Sequence, residues 1–230
     1  MTTLCVIPAR GGSKRIPRKN IKDFGGRPMI AWSIAAVKAS GVFDAIVVST
    51  DDAEIAEVAE SFGAEVPFVR PAELATDFTL TIPVIHHAVT WWEANRGPVD
   101  CACCVYATAP FLQPEALIEG RDALRSHPEA EFAFSVTSYA FPIFRALKLS
   151  ADGTVKMLWP ENELKRSQDL PEAWHDAGQF YWGTKQAWAR RQGFFSANAR
   201  PVRVPRRFVQ DIDTPEDWAV AEAMIETHAR

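Results

Sequence analysis

No stretch of this 230-residue chain reaches the roughly 18 consecutive apolar residues that a membrane-spanning helix requires. Its start, Met-Thr-Thr-Leu-Cys-Val-Ile-Pro, lacks a basic segment and a long apolar one, so a secretory leader is not expected. Internal repeats and Ser/Gly linkers are absent, and with 12 glycines and 16 prolines the collagen-like and low-complexity classes drop out. Positive charge is not in excess either: 25 Lys and Arg against 29 Asp and Glu give a net −4, a poor basis for bulk nucleic-acid binding. Cysteine is scarce. Three of the four crowd together as Cys101, Cys103 and Cys104, whereas a zinc site usually draws on two separated pairs. Cys103 and Cys104 would face opposite sides of a strand, so buried thiols in a reducing cytoplasm are expected. What is present, 47% hydrophobic and 23% charged residues, describes one globular domain with core enough to fold unaided.

Short apolar runs alternate with helical patterns along most of the chain. Strands are expected at residues 4–7, 45–50, 101–107, 132–138, 175–182 and 208–212, with a shorter extended piece at 65–69. Helices are expected at 28–40, 53–62, 83–95 and 114–126, and from Pro215 onward. Gly41 and Gly63 supply stop signals, and Asp51 or Asp52 can cap the second helix. This rhythm argues a parallel sheet flanked by helices, in which ligands bind beyond the carboxyl ends of the strands. It breaks over residues 141–174, where the Asp152-Gly153 turn signal and a polar run suggest an excursion from the sheet, a lid or a dimer arm.

Two loops stand out chemically. Residues 9–20 hold five cations (Arg10, Lys14, Arg15, Arg18 and Lys19) and no acid, with Gly11, Gly12 and Ser13 letting the backbone approach a ligand. Such a loop after the first strand suits a polyphosphate, although neither G-x-x-x-x-G-K-[ST] nor G-x-G-x-x-G is present. A merely solvated basic loop is the other reading. Near the opposite terminus, Asp211 and Asp213 sit at i and i+2 of an expected strand and would aim two carboxylates at one point. Hard oxygens beside a phosphate loop suit magnesium. Helix capping accounts for Thr214, Pro215, Glu216 and Asp217 but not for that pair. Arg70, before Pro71, is extended and placed to reach a ligand. His86, His87 and the His175-Asp176 dipeptide read as structural, as does the aromatic set Trp174, Phe180, Tyr181, Trp182, Phe194 and Phe195. No Ser/His/Asp or Cys/His nucleophile arrangement can be picked out.

Taken in order, Ile7-Pro8-Ala9-Arg10-Gly11-Gly12-Ser13-Lys14 with Pro17 and Lys19-Asn20, then Arg70-Pro71-Ala72-Glu73-Leu74-Ala75-Thr76-Asp77, Gln168-Asp169-Leu170-Pro171 and Asp211-Ile212-Asp213-Thr214, resemble the motifs of the CMP-sialic acid synthetases. The resemblance spans nearly the whole chain. It implies a Rossmann-like nucleotidyltransferase fold, a mostly parallel three-layer α/β/α sheet forming one domain over residues 1–230. Residues 141–174 would protrude as a dimerisation arm. The implied reaction moves CMP from CTP to the anomeric hydroxyl of a nine-carbon 2-keto sugar acid, in a cytoplasmic homodimer using Mg2+ or Mn2+. By the same resemblance Ala9, Arg10, Gly12, Lys19, Asn20, Arg70 and Thr81 would bind CTP, and Asp211 and Asp213 the metal. Arg10, Lys19 and Asp211 would carry catalysis.

The sugar motifs depart from that pattern. Tyr106-Ala107-Thr108-Ala109-Pro110 stands for Gln-Pro-Thr-Ser-Pro, Ser167 replaces an arginine, and Ala177-Gly178-Gln179-Phe180-Tyr181 stands for Asn-Gly-Ala-Ile-Tyr. These stretches are similar to the pseudaminic acid cytidylyltransferases, which supply sugars for bacterial surface glycans such as those on flagella. Sugar contacts would then fall to Tyr106, Thr108, Gln168, Gln179, Tyr181, Phe194 and Phe195, the two phenylalanines entering from a second subunit. N-acetylneuraminate or legionaminate as acceptor, and a CTP-binding protein without catalysis, are the alternatives. A glycosyltransferase would more often carry its Asp-x-Asp after a mid-chain strand.

Overall fold

The computed structural model describes residues 2–190 and 193–228. Strand β1 (Thr2–Pro8) leads through a long loop and a two-strand hairpin, β2 (Asp23–Phe24) and β3 (Arg27–Pro28), into α1 (Met29–Ser40). Then follow β4 (Ala45–Ser49), α2 (Ala53–Ser61), α3 (Thr81–Asn95), β5 (Val99–Val105), α4 (Pro114–Ser126) and β6 (Phe132–Ser138). A small hairpin, β7 (Leu147–Leu149) and β8 (Val155–Met157), stands in the excursion before β9 (Trp174–Thr184). The chain ends with α5 (Lys185–Arg190), β10 (Ala199–Arg203) and α6 (Pro215–His228).

Six strands form the main sheet in the order β10-β6-β9-β5-β1-β4. Strand β1 runs parallel to both β4 and β5, and β10 parallel to β6, while β9 is antiparallel to β5 and β6. The unbroken apolar runs of β1 and β5 have their physical reason here. Both strands are covered on two faces, so neither alternates with polar residues. One face carries Cys5, Ile7, Cys103 and Trp182 under α1, α2 and α4, and the other Leu4, Val6, Cys104 and Tyr181 under α3 and α5. Cys103 and Cys104 do face opposite cores. All four cysteines are free and buried, and burial pushes the Cys5 and Cys103 thiols well up in pKa.

Several expectations change. Residues 208–212 form no strand: a single 3-10 turn, Arg206–Phe208, passes into an irregular extended segment, and the edge strand is Ala199–Arg203. Pro201 and Pro205 in this region weaken any strand pattern, but β10 lies at the sheet edge, where a proline is tolerated. Residues 65–69 make only isolated bridges, Val47 with Glu65 and Thr50 with Val69. Helix α3 starts two residues early, at Thr81. The excursion is real. Between β6 and β9 the chain leaves the sheet for the β7–β8 hairpin, closed by a turn with Gly153 at φ 82°.

Candidate active site

The carboxyl ends of β1, β4 and β5 share one edge of the sheet, and a cleft of about 670 Å3 opens beyond them. A third apolar cluster anchors two of the segments that line it. Ile16 from the basic loop, Ile212 from the segment before α6, Phe24, Phe111 and Trp218 are buried together. Burying Ile16 and Ile212 against one another's neighbours contributes about 1.5–3 kcal/mol each. It also brings the two chain ends to one place. Because Ile212 points into this cluster, Asp211 and Asp213 on either side of it both line the cleft. The i, i+2 geometry therefore holds in an extended segment, without the expected strand.

Four of the five loop cations, Arg10, Lys14, Arg15 and Lys19, line the cleft. Lys19 Nζ donates to the carbonyl oxygen of Ile212 at 2.6 Å and lies 3.3 Å from Asp213 Oδ1, while Arg15 pairs with Asp213 at 2.9 Å. Arg10 and Lys14 both pair with Asp77, across the mouth of the cleft, and hold its carboxyl below the usual range. Asp77 stands within a quoted motif, yet sequence reasoning gave it no role. Arg18 turns away. At φ 57° it bonds Asp52, the N-cap of α2, and Glu54, and the Asp51 carboxylate accepts from the Gly11 amide at 3.0 Å. The loop is thus tied to the start of α2 by acids that the expected capping role only partly anticipated.

Asn20 donates to the Arg10 carbonyl at 3.0 Å and also lines the cleft. Arg70 is 5% exposed, bonds Ser49 through its side chain and forms no ion pair among the described residues; burial lowers its pKa to about 10, with Asp51 opposing, so it stays cationic at neutral pH. Thr81 Oγ1 and Tyr106 Oη lie 2.9 Å apart, and Thr108 completes this wall. Burial pushes the Tyr106 phenol up to about 12. Tyr181 sits behind it, ring centroids 5.5 Å apart, its hydroxyl donating to the Asp176 carboxylate.

Other expected residues lie away from the cleft lining. Ala9 is fully buried, and Gly12 is exposed nearby. Gln168 lies on the excursion, beside a separate hollow with Tyr139 and Phe141. Phe194 stacks on this chain's own Tyr181 at 4.3 Å, and Phe195 is exposed with its ring edge against Phe134. Gln179 is buried, and its amide donates to the carbonyl of Phe208.

The two cleft carboxylates fit a hard divalent cation. Asp211 is raised from its ordinary pKa, first by partial removal from water and then by Asp213, with Lys19 opposing. No group of three or more His, Cys, Asp or Glu that could hold a metal occurs among the described residues. An ion here would rest on this pair and on phosphate oxygens, the mode magnesium favours.

A mostly parallel sheet with cations and paired acids beyond its carboxyl edge defines an enzyme of the nucleotidyltransferase class. The chain belongs to the cytidylyltransferase family, whose pattern it matches over residues 4–228. It is 42% identical to the pseudaminic acid cytidylyltransferase of Campylobacter jejuni, over 97% of this chain and 96% of that protein. Identity to the CMP-N,N'-diacetyllegionaminic acid synthase of Legionella pneumophila is 30%, over 98% and 97%. The N-acylneuraminate cytidylyltransferase B of Danio rerio is 33% identical over 96% of this chain and 50% of its own length. Among solved structures, a CMP:2-keto-3-deoxy-manno-octonic acid synthetase in complex with CTP superposes with TM-score 0.72 at 16% identity, covering 99% of this chain and all of that one.

Proposed function

We propose that this enzyme transfers CMP from CTP to the anomeric hydroxyl of pseudaminic acid, releasing pyrophosphate. The full-length 42% identity to a pseudaminic acid cytidylyltransferase carries this reading. In the reaction the anomeric oxygen bonds to the α-phosphorus as the bond to the β-phosphate breaks, and the hydroxyl proton leaves. Arg10 and Lys19 offset the charge gathering on the departing pyrophosphate. Lys14 and Arg15 add to that cationic wall. Arg70, Asn20 and Thr81 hold the nucleoside end, and Tyr106 and Thr108 border the acceptor. Asp211 and Asp213 would hold Mg2+ or Mn2+, which supplies charge neutralisation across phosphate oxygens. Asp211 is our candidate for accepting the hydroxyl proton.

A homodimer is part of the proposal. The excursion exposes Phe141, Leu147, Leu149, Val155, Leu158 and Leu164, more apolar surface than a solvated arm needs. The four free, buried thiols suit a reducing cytoplasm. Among the described residues no helix is long and apolar enough to cross a membrane.

A panel of pseudaminate, legionaminate and N-acetylneuraminate with CTP, scored by pyrophosphate release, tests the assignment. Turnover is expected with pseudaminate above the others. Turnover with N-acetylneuraminate but not pseudaminate overturns the choice of acceptor, and CTP binding without turnover on any acceptor overturns the enzymatic reading.

A further inference from the structure

Residues 208–213 carry the acid pair but belong to no sheet, so no ladder of backbone hydrogen bonds fixes them. Their downstream end is held in several ways: Ile212 is buried, Lys19 donates to its carbonyl, and the Asp217 carboxylate accepts from the Asp213 amide at 3.1 Å. Upstream, Phe208 packs against the third apolar cluster, and Gln179 adds a side-chain tie to its backbone. The Gln179 amide nitrogen donates to the carbonyl oxygen of Phe208, 29 residues away, and Gln179 is only 4% exposed.

The strand is locally built for this contact. Pairing of β9 with β6 shifts register between Phe134 and Val136, and Gly178 sits there at φ 62°. Gln179 and Phe180 both aim their amides at the Ser135 hydroxyl, at 3.3 and 3.4 Å. A bulge of this kind re-aims a side chain, and bulges concentrate beside active sites. The arrangement also carries a cost: the second polar atom of the Gln179 side chain, Oε1, is buried and unpartnered. An apolar residue of the same length would avoid that cost. For packing alone, glutamine is the worse choice.

We infer that Gln179 is a positioning residue for the acid pair: by holding the Phe208 carbonyl it fixes the start of the segment from which Asp211 and Asp213 reach the cleft. This rests on the reading of that pair as the metal-holding group. It moves Gln179 from the sugar contact expected by resemblance to a role behind the nucleotide end of the site. Groups that orient metal-binding carboxylates typically change metal affinity by about 10–100-fold when removed.

The test uses Gln179→Met, which keeps length and burial but removes the donor, with Gln179→Leu as a second variant should the first fold poorly. Mn2+ binding in the presence of CTP and without acceptor is followed by electron paramagnetic resonance, and turnover is measured against Mg2+ concentration. Expected are an affinity for Mn2+ lower by about tenfold, turnover restored by raised Mg2+, and an unchanged KM for the acceptor. Wild-type Mn2+ affinity with a raised acceptor KM would instead make Gln179 a sugar contact and overturn the inference. Asp211→Asn serves as the control. If it loses Mn2+ binding while Gln179→Met does not, the inference alone fails; if it too binds Mn2+ normally, the metal reading fails and takes the inference with it.

Discussion

Lys19 and Ile212 stand 193 residues apart, and the ammonium of one donates to the carbonyl oxygen of the other at 2.6 Å. This bond joins the chain's basic loop to its acidic segment on one side of the cleft. The Lys19 side chain is only 17% exposed and its Nζ also reaches Asp213 at 3.3 Å, so a single cation both lines the cleft and steadies the acid pair. Lys19→Met removes both effects. We expect turnover to fall by about 10²-fold or more, with a stability change that is minor because Ile212 remains buried. Steady-state pyrophosphate release with the variant, beside its melting temperature, checks this. Turnover within threefold of wild type would remove Lys19 from the catalytic set.

The Arg18–Asp52 pair concerns the loop's anchorage rather than its chemistry. Asp52 caps α2 by accepting from the Ile55 amide at 3.1 Å, and Arg18 beside it holds its carboxyl below the usual carboxylate range. Asn caps a helix about as well as Asp, so Asp52→Asn keeps the cap and removes the ion pair. A folded-state pKa below the unfolded one stabilises at pH above the unfolded value, and that stability is lost as pH falls through the depressed pKa. Asp52→Asn should therefore cost up to about 1 kcal/mol at neutral pH, discounted for Arg18's exposure. The gap between variant and wild type should close in acid. KM for CTP should rise several-fold while kcat is largely kept. Urea melts at two pH values and a CTP titration read both effects.

Much of this was legible in the residues. The alternation of short apolar runs and helical patterns located β1, β4, β5 and β6 because strands covered on both faces must be apolar throughout. The ends of the chain were legible in a different way, through charge: five cations in one loop and an acid pair far downstream. Hidden from a linear reading were the pairings. Arg18 faces the start of α2 because its left-handed backbone turns it there, and nothing in a run of five cations distinguishes it from its neighbours. The segment at 208–212 has strand-like residues, but β10 already occupies the edge beside β6, and Ile212 is drawn instead into the cluster with Ile16 and Trp218. Gln179 heads a run of buried residues that continues through Phe180, Tyr181 and Trp182, and only the bulge in β9 explains where its side chain goes.

Close packing gives a prediction away from the cleft. Gly120, on α4, lies against β9, where a Cβ would meet Trp182 Cδ1 at 2.6 Å and Phe180 Cε2 at 2.9 Å. Both rings are fully buried, so neither can swing away cheaply. Alanine gains about 1 kcal/mol in helix propensity, against an overpacking cost of about 1–3 kcal/mol. Gly120→Ala should be net destabilising, lowering Tm by a few degrees for a chain of this size, with KM for CTP unchanged. A raised Tm would mean that the α4–β9 contact is looser than the distances imply.

Arg70 separates stability from function. Its guanidinium is held at the cleft with 5% exposure, bonded to the hydroxyl and carbonyl of Ser49 and, among the described residues, in no ion pair. Burying an unpaired cation is costly, and a protein keeps one where a ligand uses it. Arg70→Met fills similar space without the charge. The lost bonds to Ser49 and the relieved burial roughly offset each other, so Tm should stay within a few degrees of wild type or rise. CTP binding, followed by isothermal calorimetry, should weaken by at least about tenfold, the equivalent of one charge-assisted contact. If Tm collapses while the residual folded fraction binds CTP normally, Arg70 is holding β4 to its loop and does not contact the nucleotide.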